Sequence, residues 1–134
     1  NRTAIASLSL NFSEKTFTKI IDNNSPKGEI FNIARSAGIS AAKKTSELIP
    51  LCHNLPISFI DIDFLIDTKN LSIHVSSEVK TQFSTGVEME ALTACSVAGL
   101  VIYDMCKSLD KKIIMSELKL LSKKGGKSGT FKND

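Results

Sequence analysis

Asp104 and Lys107 stand three positions apart in a stretch that reads as helix, which makes a carboxylate and an ammonium group neighbours. Such a pair can move protons at a bound substrate, or it can be an ordinary surface ion pair. Lys27, with Gly28 and Glu29, opens another helical stretch, where free backbone amides and the positive end of the helix dipole already favour an anion. His53 follows Leu51 and Cys52 just beyond Pro50 and is free to serve as acid, base or phosphate donor near neutral pH. Adjacent residues of an extended chain point to opposite sides, so Cys52 and His53 do not form a nucleophile and its base. A packed cysteine and a structural histidine are the plainer alternative for that pair. His74, alone in a strand-like run, reads as structural.

The segment Lys123-Lys124-Gly125-Gly126-Lys127-Ser128-Gly129 offers cations and glycine amides to a phosphate, or is a solvated tail. It is not a P-loop, because Leu121 stands where the Walker pattern requires glycine. Glu88 and Glu90 differ by two positions, about 200° on a helix, and so are expected to face apart. Thr85-x-x-Glu88 has the form of a capping box, which accounts for Glu88 and leaves Glu90 without a local role. Glu90 and Asp104 share a helix face to within about 40° but lie about 21 Å apart along the axis. One small substrate cannot touch both in one chain. If both serve one reaction, a second chain must bring the two ends together.

The elements that position these residues follow from periodicity. Ala4 to Asn11 alternates apolar and polar residues and predicts a strand; Ser13 to Asp22 predicts a short helix with Ser13 as N-cap. Asn23 to Pro26 reads as a turn. Ile30, Ile33, Ala34, Ala37 and Ala41 then recur at helical spacing to about Leu48, with Gly38 expected to bend or divide the helix and Pro50 to end it. Ile57 to Ile66 and Leu71 to Val79 predict a hairpin joined by Asp67 to Asn70. A helix from Thr85 to about Leu109 carries the small residues Ala91, Ala94, Ala98 and Gly99, and Ile113 to Leu121 predicts a last strand before a Gly/Lys tail. Strand, helix, helix, strand, strand, helix, strand is the order of an α+β, ferredoxin-like sandwich: an antiparallel sheet with helices packed on one face. Neither a repeat nor a shift in composition divides residues 1–134, which read as a single domain.

Composition narrows the partners. Seventeen Lys and Arg against 14 Asp and Glu give a net charge of +3, far from the dense basic footprint of a nucleic-acid binder, so a small anionic ligand fits better. An RNA-binding ferredoxin-like module would present aromatics on its sheet; Phe59 and Phe64 fall on opposite faces and aromatics make up only 6%. No run of about 18 apolar residues predicts a membrane span, and no leader is evident, although the chain begins at Asn1. Cys52, Cys95 and Cys106 are odd in number and lack CxxC spacing, which argues against a disulfide framework or a closed zinc site and for a reducing compartment. The expected location is cytoplasmic, or an organelle matrix if a leader has been trimmed.

In combination, Lys27-Gly28-Glu29, Ala34-Arg35, Ala37-Gly38-Ile39, Leu48 to His53 (LIPLCH), Thr85 to Thr93 (TGVEMEALT), Ile102 to Lys107 (IYDMCK) and Gly125 to Gly129 (GGKSG) resemble the sequence blocks of the MoaC family of molybdenum-cofactor biosynthesis. The resemblance covers most of the chain from Lys27 onward. It implies a ferredoxin-like subunit, a homo-hexamer built as a trimer of dimers, and sites between subunits. It also implies a reaction, conversion of 3′,8-cyclo-7,8-dihydroguanosine 5′-triphosphate to cyclic pyranopterin monophosphate with release of diphosphate. That chemistry needs proton transfers and stabilised phosphate charge but no redox step, and the resemblance implies neither cofactor nor metal.

Matched position by position, the resemblance makes Asp104 the catalytic acid/base, with Lys107 beside it and Lys27 a further essential lysine. It sets the substrate against Leu51, Cys52 and His53 and against Met89 and Glu90, with Lys123, Lys127 and Arg2 contacting phosphate or holding the site's shape. Two departures accompany it: the family's segment before the first strand is missing from residues 1–134, and Asn54 stands where proline is common. A catalytically inactive guanine-nucleotide-binding regulator is the alternative. It would keep the lysines but would need no acid/base carboxylate, so Asp104 together with Lys107, Lys27 and His53 favours an enzyme.

Overall fold

Alternation along the first strand decides which face of the sheet is buried: Ala4, Ala6, Leu8 and Leu10 are buried, while Ile5, Ser7, Ser9 and Asn11 lie on the other face. The computed structural model describes residues 1–22, 24–127 and 129–133, with the backbone alone for residues 24–28. Its elements are β1 (Arg2–Asn11), α1 (Glu14–Asp22), α2 (Asn24–Lys43), α3 (Thr45–Leu48), β2 (Phe59–Asp67), β3 (Ser72–Thr81), α4 (Glu88–Cys106), β4 (Ile114–Lys124) and β5 (Phe131–Lys132). The sheet order is β2-β3-β1-β4-β5 and every pairing is antiparallel. This is an α+β fold with helices packed on the sheet, consistent with the expected ferredoxin-like arrangement.

The core lies between the sheet and α4. Ala91, Ala94, Cys95, Ala98, Ile102 and Cys106 recur at helical spacing and are fully buried. Two polar links fix the helix to the strand below it: Ser77 Oγ donates to the Ala91 carbonyl, and Cys95 Sγ to the Val75 carbonyl. Although α4 is long and apolar enough to cross a bilayer, its buried stripe is used against β1, β3 and α2. Burial pushes the thiols of Cys95 and Cys106 up to about 12 and about 11, so both behave as small apolar side chains. All three cysteines are free.

Several local expectations are met. Ser13 Oγ accepts from the Thr16 amide at 3.3 Å, capping α1. The hairpin forms with Asp67 opposite Ser72, and Asp67 Oδ1 accepts from the Asn70 amide at 3.1 Å across the turn. Ile49 is extended ahead of Pro50, as the clash with the proline ring demands.

Other expectations are corrected. Residues 24–26, read as part of a turn, already belong to α2, and residue 23 lies outside the described residues. Pro26 is tolerated because the first helical turn has no internal partner for the N–H that proline lacks. Ile33, assigned to the buried stripe, is 48% exposed. Gly38 does not divide α2, which continues to Lys43. Its role is close approach: a Cβ there would collide with Ile62 Cδ1 and sit 2.9 Å from the Ala94 carbonyl oxygen. At the start of α4 the capping box does not form; Val87 is the N-cap and no side chain caps the helix. The helix ends at Cys106, short of Leu109, while β4 extends to Lys124 and the tail folds back as β5 against Ser122 and Lys123.

Because Gly38 is where α2, α4 and β2 meet, Gly38→Ala should lower unfolding stability by about 1–3 kcal/mol through overpacking. Urea unfolding followed by circular dichroism measures it, and an unchanged midpoint would show that the three elements can part without cost.

Candidate active site

The direction of the helices sorts the candidate residues into two groups. Gly38 lies against Ala94 and Ala98, whereas Leu48 and Ile49 share a groove with Met89 and Leu92, so α2 and α4 run antiparallel. Lys27 precedes Gly38 by eleven residues, about 16 Å of helix. That puts its backbone near the carboxyl end of α4, the end that carries Asp104 and Lys107. The side chain of Lys27 lies outside the described residues. Lys107 Nζ and Asp104 Oδ1 are 2.8 Å apart, the i,i+3 pair expected, and both side chains are exposed. The carboxylate holds the ammonium charged, raising the Lys107 pKa through a hydrogen bond first and its charge second.

The second group surrounds the amino end of α4. Leu51, Cys52 and His53, delivered by the loop after Pro50, line a cavity of about 210 Å³ together with Leu55, Thr85, Gly86, Glu88, Met89 and Glu90. Glu88 Oε2 reaches Lys123 Nζ at 3.9 Å, which joins the end of β4 to the rim of this cavity. Arg2 comes alongside through the pairing of β1 with β4, in which Thr3 faces Lys124 and Ala4 faces Lys123. Gly126 clears its path: a Cβ there would stand 2.7 Å from the guanidinium carbon of Arg2, and its φ of +81° suits glycine. Lys127 follows in an exposed turn; Ser128 lies outside the described residues.

Charge within the cavity is uneven. Glu90 is 5% exposed, and burial raises its pKa against the lowering effect of a backbone hydrogen bond, with the negative charge of Glu88 raising it further. Burial, then the charge of Glu90, raises the Cys52 thiol, which keeps it protonated and unsuited to nucleophilic attack. The site thus offers Lys123 as a cation at the rim through Glu88, His53 as an exposed imidazole, and two carboxyl groups whose environments differ, with Arg2 packed beside Gly126 beyond the end of β4. Such a set can bind a polyanion at one edge and accept hydrogen bonds from a polar ring at the other. Among the described residues, no group of three or more His, Cys, Asp and Glu side chains has the arrangement of a metal site.

Glu88 is the residue that sequence reasoning assigned wrongly. It was expected to cap its own helix and to face away from Glu90, yet both line one cavity. The helix starts at Glu88 itself, so the wheel geometry of an established helix does not govern its side chain, which folds back over Gly86. Gly86, a poor residue for a first helical turn, was the available signal that Thr85 does not begin the helix.

The profile of the MoaC family matches residues 1–126. The chain is 48% identical over 134 residues to the cyclic pyranopterin monophosphate synthase of Bordetella parapertussis, covering 100% of this chain and 83% of that protein. Similar relatives carrying the same name occur in Heliobacterium modesticaldum, 48% identical over 97% of this chain and 82% of that one, and in Pelotomaculum thermopropionicum, 48% identical over 97% and 76%.

The coupling of the two carboxyl groups can be read directly. Glu88→Gln removes the charge that raises Glu90, so the Glu90 side-chain pKa, followed by carboxyl-carbon NMR, should move down. A value that does not move would mean that the two groups do not share the cavity in solution.

Proposed function

The chain belongs to the MoaC family, and on that premise we propose that it is a cyclic pyranopterin monophosphate synthase, a phosphorus-oxygen lyase of molybdenum-cofactor biosynthesis. Its substrate in this reading is 3′,8-cyclo-7,8-dihydroguanosine 5′-triphosphate, which it converts to cyclic pyranopterin monophosphate and diphosphate. The observation that carries the arrangement of the site is the continuity of α4: Glu90 in its first turn and Asp104 in its last are separated by about 21 Å of unbroken helix.

A single substrate therefore meets both groups only if a second chain contributes one of them. The amino end of α4 in one protomer supplies Leu51, Cys52, His53, Met89 and Glu90 as the wall for the ring, with Arg2, Lys123 and Lys127 on the phosphates. The carboxyl end of α4 in its neighbour supplies Asp104 and Lys107, with Lys27 from the start of α2. Closed point-group assembly repeats that contact, and a hexamer formed as a trimer of dimers provides it in this reading.

Ring opening and pterin formation each move protons between carbon, nitrogen and oxygen atoms. Asp104 is the group that takes and returns them, and Lys107, held at 2.8 Å, keeps its carboxylate oriented and its charge balanced. Cyclic phosphate closure expels diphosphate, whose developing charge falls on the lysines and Arg2. Glu88 and Glu90 accept from amino and ring N–H groups of the guanine-derived ring.

Asp104→Asn keeps the shape of the side chain and removes its basicity. Diphosphate release from the cyclised triphosphate should fall by about 10²–10⁴-fold; wild-type turnover would take Asp104 out of the reaction. The shared site has its own test. Glu90→Gln and Asp104→Asn chains, unfolded and refolded together, should regain activity that neither has alone, because some interfaces then pair two unaltered half-sites. A mixture that gives only the average of its parents would mean that each chain holds a complete site.

A further inference from the structure

The face of the sheet away from the helices carries a second set of groups that the reaction above does not use. Ser9 on β1 and His74 on β3 stand directly opposite each other, and Ser9 Oγ lies 2.8 Å from His74 Nδ1. The other ring nitrogen, Nε2, is 2.9 Å from Asp67 Oδ2 at the end of β2. A cavity of about 310 Å³ opens over the serine, lined by Ser7, Ser9, His74, Glu117 and Lys119.

The polarity of this chain follows from what each group can donate. Hydrogen bonds from the Asn70 side chain and from His74 hold the Asp67 carboxyl down at about 2, so at neutral pH it is ionised and only accepts. Nε2 must then carry the imidazole proton. In the neutral ring Nδ1 is left as the acceptor, and the Ser9 hydroxyl donates to it. A serine hydroxyl donating to an imidazole that a carboxylate holds in one tautomer is a nucleophile, its base and its orienting group.

We propose that Ser9 is a nucleophile that accepts an acyl group from small activated acyl esters entering this cavity, with His74 as general base and Asp67 as the residue that fixes its tautomer. Ser9 Oγ forms a bond to the carbonyl carbon as its proton passes to His74 Nδ1. The bond from that carbon to the departing oxygen breaks, and the departing oxygen takes the proton from Nδ1. The products are an O-acyl Ser9 and a free alcohol or phenol. Lys119, which makes no ion pair among the described residues, is the cation available to the carbonyl oxygen as it becomes negative.

The test is exposure of the full chain to p-nitrophenyl acetate, with release of p-nitrophenolate followed by absorbance and the acetylated peptide located by tandem mass spectrometry. The expected result is a burst of about one equivalent per chain with the acetyl group on Ser9, by the logic of an accumulating acyl-enzyme. Ser9→Ala should abolish the burst, and His74→Ala and Asp67→Asn should slow it by about 10²-fold or more. Ser76→Ala, on the same face but outside the cavity, should retain it, and circular dichroism establishes that each variant is folded. An equal burst from folded Ser9→Ala, or acetyl groups found only on lysines, would overturn the proposal.

Discussion

The constraint on which the molecule depends is the close approach of α4 to β1 and α2. Ala91, Ala94, Ala98 and Gly99 give α4 an almost flat face, and Gly38 does the same for α2. A Cβ at Gly38 would sit 2.9 Å from the Ala94 carbonyl oxygen, a backbone atom that cannot swing aside, and one at Gly99 would displace the ends of the Leu8 and Met115 side chains. The result is a rod held along its length by β1, β3 and α2, with Glu90 near one end and Asp104 near the other. In the proposed site, stability and function are linked by this geometry. What lets the core close also fixes the spacing between the group at Glu90 and the group at Asp104.

The two ends are built differently. The amino end is a concavity in which burial does the electrostatic tuning: Glu90 is withdrawn from water, and its pKa and that of the Cys52 thiol beside it both rise. A cation reaches this end from β4 in Lys123, which meets Glu88, and antiparallel pairing sets Arg2 at the start of β1 beside the end of that strand. At the carboxyl end the Asp104 and Lys107 side chains are both exposed. There the Asp104 carboxylate raises the Lys107 pKa through one short hydrogen bond at the surface.

How far the sequence discloses this depends on the range of the interaction. Period-2 alternation in β1, helical spacing of small residues in α4 and the Asp67 to Asn70 turn are local patterns, and each predicted its element. The blocks LIPLCH and TGVEMEALT led to the family, and the structure brings them to one cavity. The failures are where tertiary packing overrides a local motif. Thr85-x-x-Glu88 has the right letters for a capping box, but the helix starts later and Glu88 turns to Lys123, a residue 35 positions away. Gly38 signals a break when read alone; only the presence of Ala94 and Ile62 across from it shows why glycine is required in an unbroken helix. The short β5 was unreadable because two exposed residues in a Gly/Lys tail carry no periodicity.

The exposure of the Asp104 and Lys107 pair bears on how the proposed site would work. With side chains 69% and 59% exposed, respectively, the pair sits in water, where high dielectric and competing hydration leave an ion pair little energetic effect. Covering the pair changes that setting. Excluding water strengthens the attraction between the two charges and fixes the carboxylate against its ammonium partner. A second protomer that lays its amino-end cavity over this pair would therefore do more than complete a list of residues. It would supply the low-dielectric setting in which Asp104 can act, so that in the proposed enzyme assembly itself is the step that turns a surface ion pair into a catalytic one.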